Sequence, residues 1–470
     1  MHGSVDGSVV LWAQEMFASC ELGDRRRSER AVRIAQGMAL RTSASIPMQA
    51  QSGKDAKAAY RFFDTDAVTF EKLSEPHWLL TREAFASHRR VLVLQDTTAV
   101  SFSGRVEIEG LGPIGTREIS KGLWLHSALV VSDETEPSVL GLAYQEIWAR
   151  QSAPEDETEN QRHKRPRESE RWARTVRESG VATGCRVLHV CDRESDIFEV
   201  YEACRETRAG YVVRVRTNGS ARLVHDGHDA DAAETPLTEL IRQTPACAEK
   251  KLELRARPGK PARTADLRVS VRPVAIPPPR IRDRRRTKGI EPIKAWVVRV
   301  WEPKPPKGVE ALEWVLVTSE PTSTPEEALN VTRWYAARWL IEEYHKCLKT
   351  GCAVEERQLE HADRLKPLTA MLGIVAVRLL QMKLAGRRTP DRPAAEIVPK
   401  IYTRVLAAYR NERKKDYTCR QFWRAVAQLG GFMGRKGDGD PGWITLWRGW
   451  QQLEMLILGA ELAKELTEES

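Results

Sequence analysis

The most regular pattern of apolar and polar positions lies near residue 340, in a stretch without glycine or proline. Apolar and aromatic side chains recur there at helical spacing, at Trp334, Ala337, Ile341, Tyr344 and Leu348. This spacing predicts a helix with one face buried in a core. A neighbouring face would carry Tyr335, Arg338, Glu342, Lys346 and Lys349. On this stretch alone, the second face is most simply a solvated surface, with Arg338 and Glu342 as an i,i+4 ion pair.

Upstream of that helix, short apolar runs alternate with helical segments. Runs typical of buried strands lie at residues 91–94, 123–131, 139–148, 187–190 and 211–216. Helices are predicted near residues 171–179 and over residues 197–207, on either side of the fourth strand. The order is three strands, a helix, a strand, a helix and a strand, as in a ribonuclease H-like α/β core.

Two of the predicted strands lead into an aspartate, Asp96 after the first and Asp192 after the fourth. Open α/β sheets collect their chemistry at the carboxyl ends of strands, although aspartate is also common in turns and helix caps. Two carboxylates held close together repel each other unless a cation lies between them, and oxygen ligands suit magnesium or manganese. If Glu342 joined them, the three could hold two metal ions about 4 Å apart, an arrangement suited to phosphoryl transfer.

The first 75 or so residues predict a small helical module with basic edges. Four arginines stand at the start of its longest predicted helix: Arg25, Arg26, Arg27 and Arg30. Cations are unfavourable there because the amino end of a helix dipole is positive. An external phosphate would explain the placement, but adjacent arginines can also simply be solvated. A second helix, over residues 54–63, is predicted to turn Tyr60 and Phe63 inward and Arg61 outward.

Positive charge is concentrated in one segment. The chain has a net charge of +9, but residues 250–300 hold sixteen lysines or arginines against four acidic residues. Such a zone suggests contact with a polyanion, and nucleic acid is the usual one; residues 280–288 could also be a disordered charged loop. The segment lies within the 150 residues between Asp192 and Glu342, where alternating apolar positions predict an inserted β subdomain.

Length and composition favour a cytoplasmic protein. At 470 residues the chain is expected to form two or three domains. The longest apolar runs fall short of a membrane span, and eight scattered cysteines without a Cys-x-x-Cys pair favour reduced thiols. We therefore expect a cytoplasmic protein with no membrane partner.

Three blocks of this sequence point to one family. They are Asp96-Thr97-Thr98, Cys191-Asp192-Arg193-Glu194, and the spaced set Tyr335, Arg338, Glu342 and Lys349. These blocks resemble those of the DDE transposases of the insertion-sequence-four family, most closely its transposon-five-like members. The last block matches the family's tyrosine, arginine, glutamate and lysine signature, which is long and specific. Similar stretches at residues 22–24, 59–62, 122–127, 312–321, 375–380 and 429–433 extend the resemblance over nearly the whole chain.

The resemblance implies that Asp96, Asp192 and Glu342 are the catalytic triad and hold two Mg²⁺ ions, for which Mn²⁺ could substitute. In this cut-and-paste family, water attacks the phosphodiester at the transposon end and the freed 3′ hydroxyl attacks the opposite strand to form a hairpin. The reopened end is then joined to target DNA. Trp314 matches the position on which the family stacks a flipped base, whereas without the resemblance it would be a core residue. The side chains implied to contact DNA are Tyr335, Arg338, Lys346, Lys349, Trp314, Arg214, Arg26, Arg27, Arg30 and Arg61.

The resemblance also implies three domains. A helical domain over residues 1–75 would bind transposon ends, and a ribonuclease H-like catalytic domain would occupy residues 76–386, with the basic β subdomain inserted at 216–320. A helical domain over residues 387–470 would pair two protomers in a synaptic complex. Its helical stripe, Trp443, Leu446, Trp450, Leu453 and Ile457, could also be internal packing. The expected partners are double-stranded DNA, as transposon ends and target, and a second copy of the chain. The resemblance also implies a bacterial protein that is associated with the nucleoid when bound to DNA.

Two other functions stay open on the sequence. A ribonuclease H-like nuclease would cut DNA without joining ends, and a repurposed transposase would bind DNA as a regulator without catalysis. The three intact acidic residues argue against a loss of catalysis. A strand-transfer assay would separate transposase from nuclease, as would inverted repeats on either side of the gene.

Overall fold

The structure, a computed structural model, describes residues 9–102, 108–115, 120–151, 157–158, 167–217, 222–229, 231–254, 261–279, 290–412, 416–435 and 438–468. It is an α/β fold in which amino-terminal helices, a central mixed sheet and carboxyl-terminal helices follow one another along the chain. The basic run at residues 280–288, singled out in the sequence, lies outside the described residues.

The amino-terminal part is helical, as predicted. Its helices are α1 (Val9–Phe17), α2 (Arg25–Leu40), α3 (Ile46–Gln49), α4 (Gly53–Phe63) and α5 (Phe70–Glu83). The prediction that Tyr60 points inward was wrong, because Tyr60 is 40% exposed. The buried face of α4 instead passes through Ala56, Ala59, Phe62 and Phe63.

The centre of the sheet contains the five predicted strands. Its elements are β1 (Arg90–Ser101), β2 (Gly112–Pro113), β3 (Lys121–Ser132), β4 (Val139–Trp148), α6 (Glu170–Glu178), β5 (Arg186–Cys191), α7 (Phe198–Thr207) and β6 (Gly210–Arg214). β1 pairs antiparallel with β3 and parallel with β5, while β3 pairs antiparallel with β4 and β5 parallel with β6. These pairings give the spatial order β4-β3-β1-β5-β6.

β1 is longer than the sequence predicted. It continues to Ser101, so Asp96 lies within the strand rather than after it. The pairing of β1 with β5 ends at Leu94 opposite Val190, whereas its pairing with β3 continues to Ser101. Asp96 therefore lies just beyond the point where β1 parts from β5, while the other edge of β1 is still held by β3.

The inserted segment extends the same sheet instead of forming a separate one. Its elements are β7 (Leu223–Asp226), β8 (Glu234–Pro236), α8 (Leu237–Gln243), β9 (Ala248–Leu254), β10 (Arg263–Ile276), β11 (Ile293–Trp301) and β12 (Glu313–Thr318). β12 pairs antiparallel with β6 through Leu316 opposite Arg214, and β11 and β10 follow outward. The segment is thus joined to the strands that carry Asp96 and Asp192 by continuous backbone hydrogen bonding.

The carboxyl-terminal part is helical. Its helices are α9 (Pro325–Ala337), α10 (Trp339–Lys346), α11 (Ala362–Arg388), α12 (Lys400–Tyr409), α13 (Cys419–Leu429) and α14 (Trp443–Glu468). The part of the predicted stripe formed by Leu446, Trp450, Leu453 and Ile457 is buried within the chain. Trp450 stacks on Tyr402, with ring centroids 4.8 Å apart. These four side chains therefore pack internally.

The helix predicted across residues 335–349 is broken into segments. α9 ends at Ala337, α10 begins at Trp339, and a π-helical turn, Cys347–Gly351, follows. At the first break the Arg338 amide donates to the Tyr335 carbonyl, a bond one residue shorter than in an α-helix. The predicted inner face is buried at Trp334, Ile341, Tyr344 and Leu348, but Tyr335, predicted on the polar face, is buried too.

Among the described helices, α11 alone is long and apolar enough by length and composition to cross a membrane. However, 89% of its apolar window is buried inside the protein, as in the central helix of a folded core.

Candidate active site

Asp96 and Asp192 are brought together by the parallel pairing of β1 and β5. Leu94 lies opposite Val190, and each aspartate comes two residues later in its chain. Side chains two residues apart on a strand point to the same face, and paired strands lie about 4.8 Å apart. Asp192 is close enough to raise the pKa of Asp96 by like-charge repulsion.

The turn that carries Asp192 is fixed by its own hydrogen bonds and by a buried ion pair. Asp192 Oδ1 accepts from the Glu194 amide at 2.8 Å. Four residues after Asp192, the buried Asp196 accepts from the Tyr201 hydroxyl at 2.6 Å and lies 2.5 Å from Arg222. Because Arg222 belongs to the inserted segment, that segment helps to hold the turn in place.

Glu342 reaches the same region from α10, and Arg338 connects it to Asp96. Arg338 Nη2 donates to Glu342 Oε1 at 2.5 Å, and Arg338 Nη1 lies 3.6 Å from Asp96 Oδ2. The sequence had suggested an Arg338–Glu342 pair on a solvated surface, but the Arg338 side chain is only 17% exposed. The guanidinium therefore joins two of the three predicted catalytic acids within a mostly enclosed site.

The electrostatics of Asp96 follow from burial and crowding. The pKa of Asp96 is raised to about 7, mainly by burial. The nearby Asp192 and Glu342 carboxylates add to this rise, and the Arg338 guanidinium opposes it. His345, one turn after Glu342, is buried with its Nδ1 3.9 Å from Asp96 Oδ2. Burial lowers the pKa of His345 to about 3, so this imidazole is neutral at physiological pH.

The three carboxylates are the candidate ligands for a divalent metal. No three histidine, cysteine or acidic side chains in the described ranges lie together closely enough to hold one metal ion. Arg338 instead supplies the positive charge between Asp96 and Glu342. The chemistry of the donors still fits magnesium, because all three are carboxylates and their mutual repulsion raises the pKa of Asp96.

Sequence reasoning missed the residues that hold α10 from behind. Lys383 of α11 donates to Glu343 at 2.8 Å, and both side chains are at most 5% exposed. Gln145 donates to the Tyr344 hydroxyl at 3.0 Å. Lys383 was the sequence feature that could have indicated this contact, because a lysine inside a long apolar helix needs a buried partner.

Several DNA-contact candidates cluster beside the three acids. Trp314 on β12 is partly buried, with its ring centroid 6.0 Å from that of Tyr335. Arg214, at the end of β6, donates to the Glu313 carbonyl at 3.5 Å. Burial raises the pKa of Tyr335, and the nearby positive charges of Arg338 and Arg214 oppose this rise.

The two lysines of the signature helix are engaged with neighbours. Lys346 is exposed, with its Nζ 4.6 Å from the centre of the exposed Trp339 ring. Lys349 lies in the π-helical turn, 3.6 Å from Glu355. Both lie on or just beyond the element that carries Glu342.

Three of the four arginines predicted to bind DNA from the amino-terminal helices contact other groups of the chain. Arg26 is 87% exposed and lies 3.0 Å from Asp24, the residue that caps α2. Arg30 lies 2.9 Å from Asp55 of α4, and Arg27 donates to the Leu22 carbonyl at 2.8 Å. Arg61 is exposed on α4. These side chains lie on α2 and α4, separate from the elements that carry the three acids.

Comparison with known proteins gave matches at both ends of the chain. Residues 10–68 match a family described as transposase DNA-binding, and residues 374–470 match the transposase Tn5 dimerisation domain. Asp96, Asp192 and Glu342 lie between the two matches. Among solved structures, a piggyBac transposase synaptic complex with hairpin DNA aligns over 95% of this chain and 85% of its own. The identity is 10% and the TM-score 0.37, too low to support an argument.

Proposed function

Because the chain belongs to the Tn5-like transposases, we propose that it is a cut-and-paste DNA transposase. It would cleave transposon ends by metal-dependent phosphoryl transfer and join the 3′ hydroxyl ends to target DNA. The observation that carries the proposal is the meeting of Asp96, Asp192 and Glu342 around Arg338. Three acids that lie far apart in sequence share one region, as a phosphoryl-transfer site requires.

The proposal includes a ribonuclease H-like catalytic core. It is supported by the order β4-β3-β1-β5-β6, in which β1, β5 and β6 are parallel and β3 is antiparallel to β1. In open sheets of this kind ligands bind beyond the carboxyl ends of the parallel strands. Asp192 directly follows β5, and Asp96 lies two residues beyond the last β1 residue that pairs with β5.

In the proposed mechanism Asp96, Asp192 and Glu342 would hold Mg²⁺. The chemistry supplied by bound metal would be activation of the attacking oxygen and stabilisation of the leaving oxygen. The chain's own cations, Arg338 and Lys349, would hold phosphates of the DNA next to the acids. The two rigid elements that present the acids, the β1–β5 pair and α10, would keep them in position during the reaction.

A hairpin intermediate is a finer part of the proposal. It requires a tightly bent DNA end, which is easier to form when a base leaves the stack. The partly buried Trp314, whose ring centroid lies 6.0 Å from that of the buried Tyr335, offers aromatic surface near Arg214 for such a base. The partly buried Trp314 would therefore contact DNA through one face while packing through the other.

The two ends of the chain would supply DNA recognition and pairing. We infer that the amino-terminal helices bind the transposon end, because residues 10–68 match a transposase DNA-binding family and carry exposed arginines such as Arg26. The match to a dimerisation domain over residues 374–470 supports a homodimer in the DNA complex. On α14, Ile444 and Met455 are 67% and 60% exposed, which leaves apolar surface for a second copy.

The proposal is tested with DNA taken from either side of the gene for this chain. Asp96→Asn, Asp192→Asn and Glu342→Gln should each lower magnesium-dependent nicking by about a thousandfold or more while end binding is retained. Glu356→Gln, which changes an exposed acid outside the proposed triad, is the matched control and should nick normally. Nicking that survives in any of the three variants would remove that residue from the proposed triad.

The same reactions decide between transposase and the two alternatives. A transposase joins the cleaved ends to a plasmid target, whereas a nuclease of similar fold cuts without joining. Wild-type protein that binds the ends but neither cuts nor joins them would support a DNA-binding regulator instead.

A further inference from the structure

We propose that Arg338 closes the metal site of the DNA-free protein and opens it when a DNA phosphate draws its guanidinium away from Asp96 and Glu342. This rests on the proposed function, because it takes Asp96, Asp192 and Glu342 as the groups that hold metal. It adds an order of binding, in which the protein binds DNA first and the metal second.

The geometry places Arg338 where a metal-bound state would need positive charge. Its two terminal nitrogens point to different acids, Nη2 to Glu342 at 2.5 Å and Nη1 to Asp96 at 3.6 Å. Asp96 is on β1 and Glu342 is on α10. The guanidinium therefore links the strand and the helix whose acids must come together to bind metal. The described residues contain no three-ligand metal group while Arg338 is in this position.

Charge makes the two occupants compete. A guanidinium stays protonated at any pH at which the protein is folded, so Arg338 cannot leave by losing its proton. A divalent cation bound to the same carboxylates would lie within a few ångströms of that guanidinium and be repelled by it. Metal binding to the closed site therefore requires Arg338 to move.

The position of Arg338 in the fold allows such a movement. It lies at the break between α9 and α10, and its side chain is 17% exposed while that of Glu342 is 41% exposed. A phosphate of bound DNA offers two oxygen atoms that a guanidinium can bind with two parallel hydrogen bonds, as it binds a carboxylate. Lys346 and Lys349, by contrast, contact Trp339 and Glu355, which leaves Arg338 as the bridge between Asp96 and Glu342.

The test measures metal binding rather than activity. Free Mn²⁺ is followed by electron paramagnetic resonance during titration of the full chain, with and without a duplex from the gene's flank, after subtraction of Mn²⁺ bound by DNA alone. Without DNA, Arg338→Gln should bind Mn²⁺ about tenfold more tightly than wild type. DNA should tighten Mn²⁺ binding by the wild-type protein by a similar factor. It should change Mn²⁺ binding by the variant only slightly.

Arg392→Gln is the matched control, because Arg392 and Glu396 form an exposed i,i+4 pair of the same type. It should bind Mn²⁺ as wild type does. If Arg338→Gln does not fold, the wild-type titrations with and without DNA still decide the matter, since equal affinities would overturn the proposal.

Asp96→Asn separates failure of this inference from failure of the proposed function. If Asp96→Asn weakens Mn²⁺ binding but Arg338→Gln leaves it unchanged or weaker, the metal site stands and the role given to Arg338 is wrong. If Asp96→Asn leaves Mn²⁺ binding unchanged, the metal site is elsewhere and both proposals fall.

Discussion

At the scale of single residues, the site is governed by side chains whose charge state depends on their surroundings. The sequence named Asp96, Asp192 and Glu342 because their positions follow from strand ends and a spaced signature. It could not give the pKa of Asp96, about 7, because that value depends on burial and on neighbours brought near by folding. The sequence also could not predict the contact of Arg338 with Asp96. Only Glu342, four residues after Arg338, stands at a spacing that predicts an ion pair.

Two buried histidines give a pH dependence that can be checked on the free protein. The side chain of Gln95 lies 2.8 Å from His189 Nδ1 and 3.2 Å from His126 Nε2, and burial lowers the pKa of each histidine to about 3. The unfolded pKa is near 6.5, so the stability they contribute is complete above about pH 6.5 and is lost as the pH falls below it. Between about pH 7.5 and pH 5, the free energy of unfolding should fall by roughly 2 kcal/mol per histidine.

Urea unfolding of wild type and His189→Gln at those two pH values checks this prediction. Glutamine can keep a hydrogen bond to Gln95 but does not titrate. The free energy of unfolding of the variant should therefore fall by about 2 kcal/mol less than that of wild type between the two pH values. His361→Gln, at a side chain that is 42% exposed, serves as control and should keep the wild-type dependence. The same pH dependence in His189→Gln and wild type would contradict the prediction.

At the scale of elements, the sequence predicted what is local and missed what is long-range. Periodicity found the five core strands and the amphipathic segment around Glu342, because each pattern is complete within about a dozen residues. It did not predict the break at Arg338 or the π-helical turn after Lys346, where α10 adjusts to the elements packed against it. It also missed the pairing of β12 with β6, which joins the inserted segment to the core sheet.

The buried pair of Lys383 and Glu343 should hold α10 against α11. Lys383→Met would leave the Glu343 carboxylate buried without its cation, which should cost about 3–5 kcal/mol of unfolding free energy. The double variant Glu343→Leu with Lys383→Met removes both charges and should recover most of that loss. Chemical unfolding of the two single variants and the double variant measures the coupling. A double variant no more stable than Lys383→Met would show that the pair is not what holds this helix.

At the scale of the whole molecule, the loop between α2 and α3 joins both ends of the chain. Glu454 of α14 accepts hydrogen bonds from the Thr42 amide at 2.8 Å and from the Ser43 hydroxyl at 3.0 Å. Arg357 donates to the Thr42 carbonyl at 2.8 Å, and the Tyr402 hydroxyl donates to the Leu40 carbonyl at 2.5 Å. The regions that match DNA-binding and dimerisation families are therefore in direct contact within one chain, which no local pattern could predict.

Removal of the Glu454 carboxylate should loosen that contact. Glu454→Ala removes the acceptor of the buried Thr42 amide and of the Ser43 hydroxyl, so hydrogen exchange of amides in residues 40–46 should speed up by about tenfold. Met455→Ala, at the next residue, removes a side chain that is 60% exposed and should leave this exchange unchanged. Mass-spectrometric exchange on the intact protein makes the comparison, and unaltered exchange in Glu454→Ala would contradict the structural role given to this carboxylate.

The most direct test of the central claim is the position of a bound metal. Anomalous X-ray scattering from Mn²⁺ in crystals of the chain bound to its end DNA locates the ion independently of any assumed mechanism. The proposal predicts a peak within ligand distance of Asp96, Asp192 and Glu342 together, with Arg338 turned toward a phosphate. A metal bound elsewhere, or carboxylates that share no cation in the DNA complex, would contradict it.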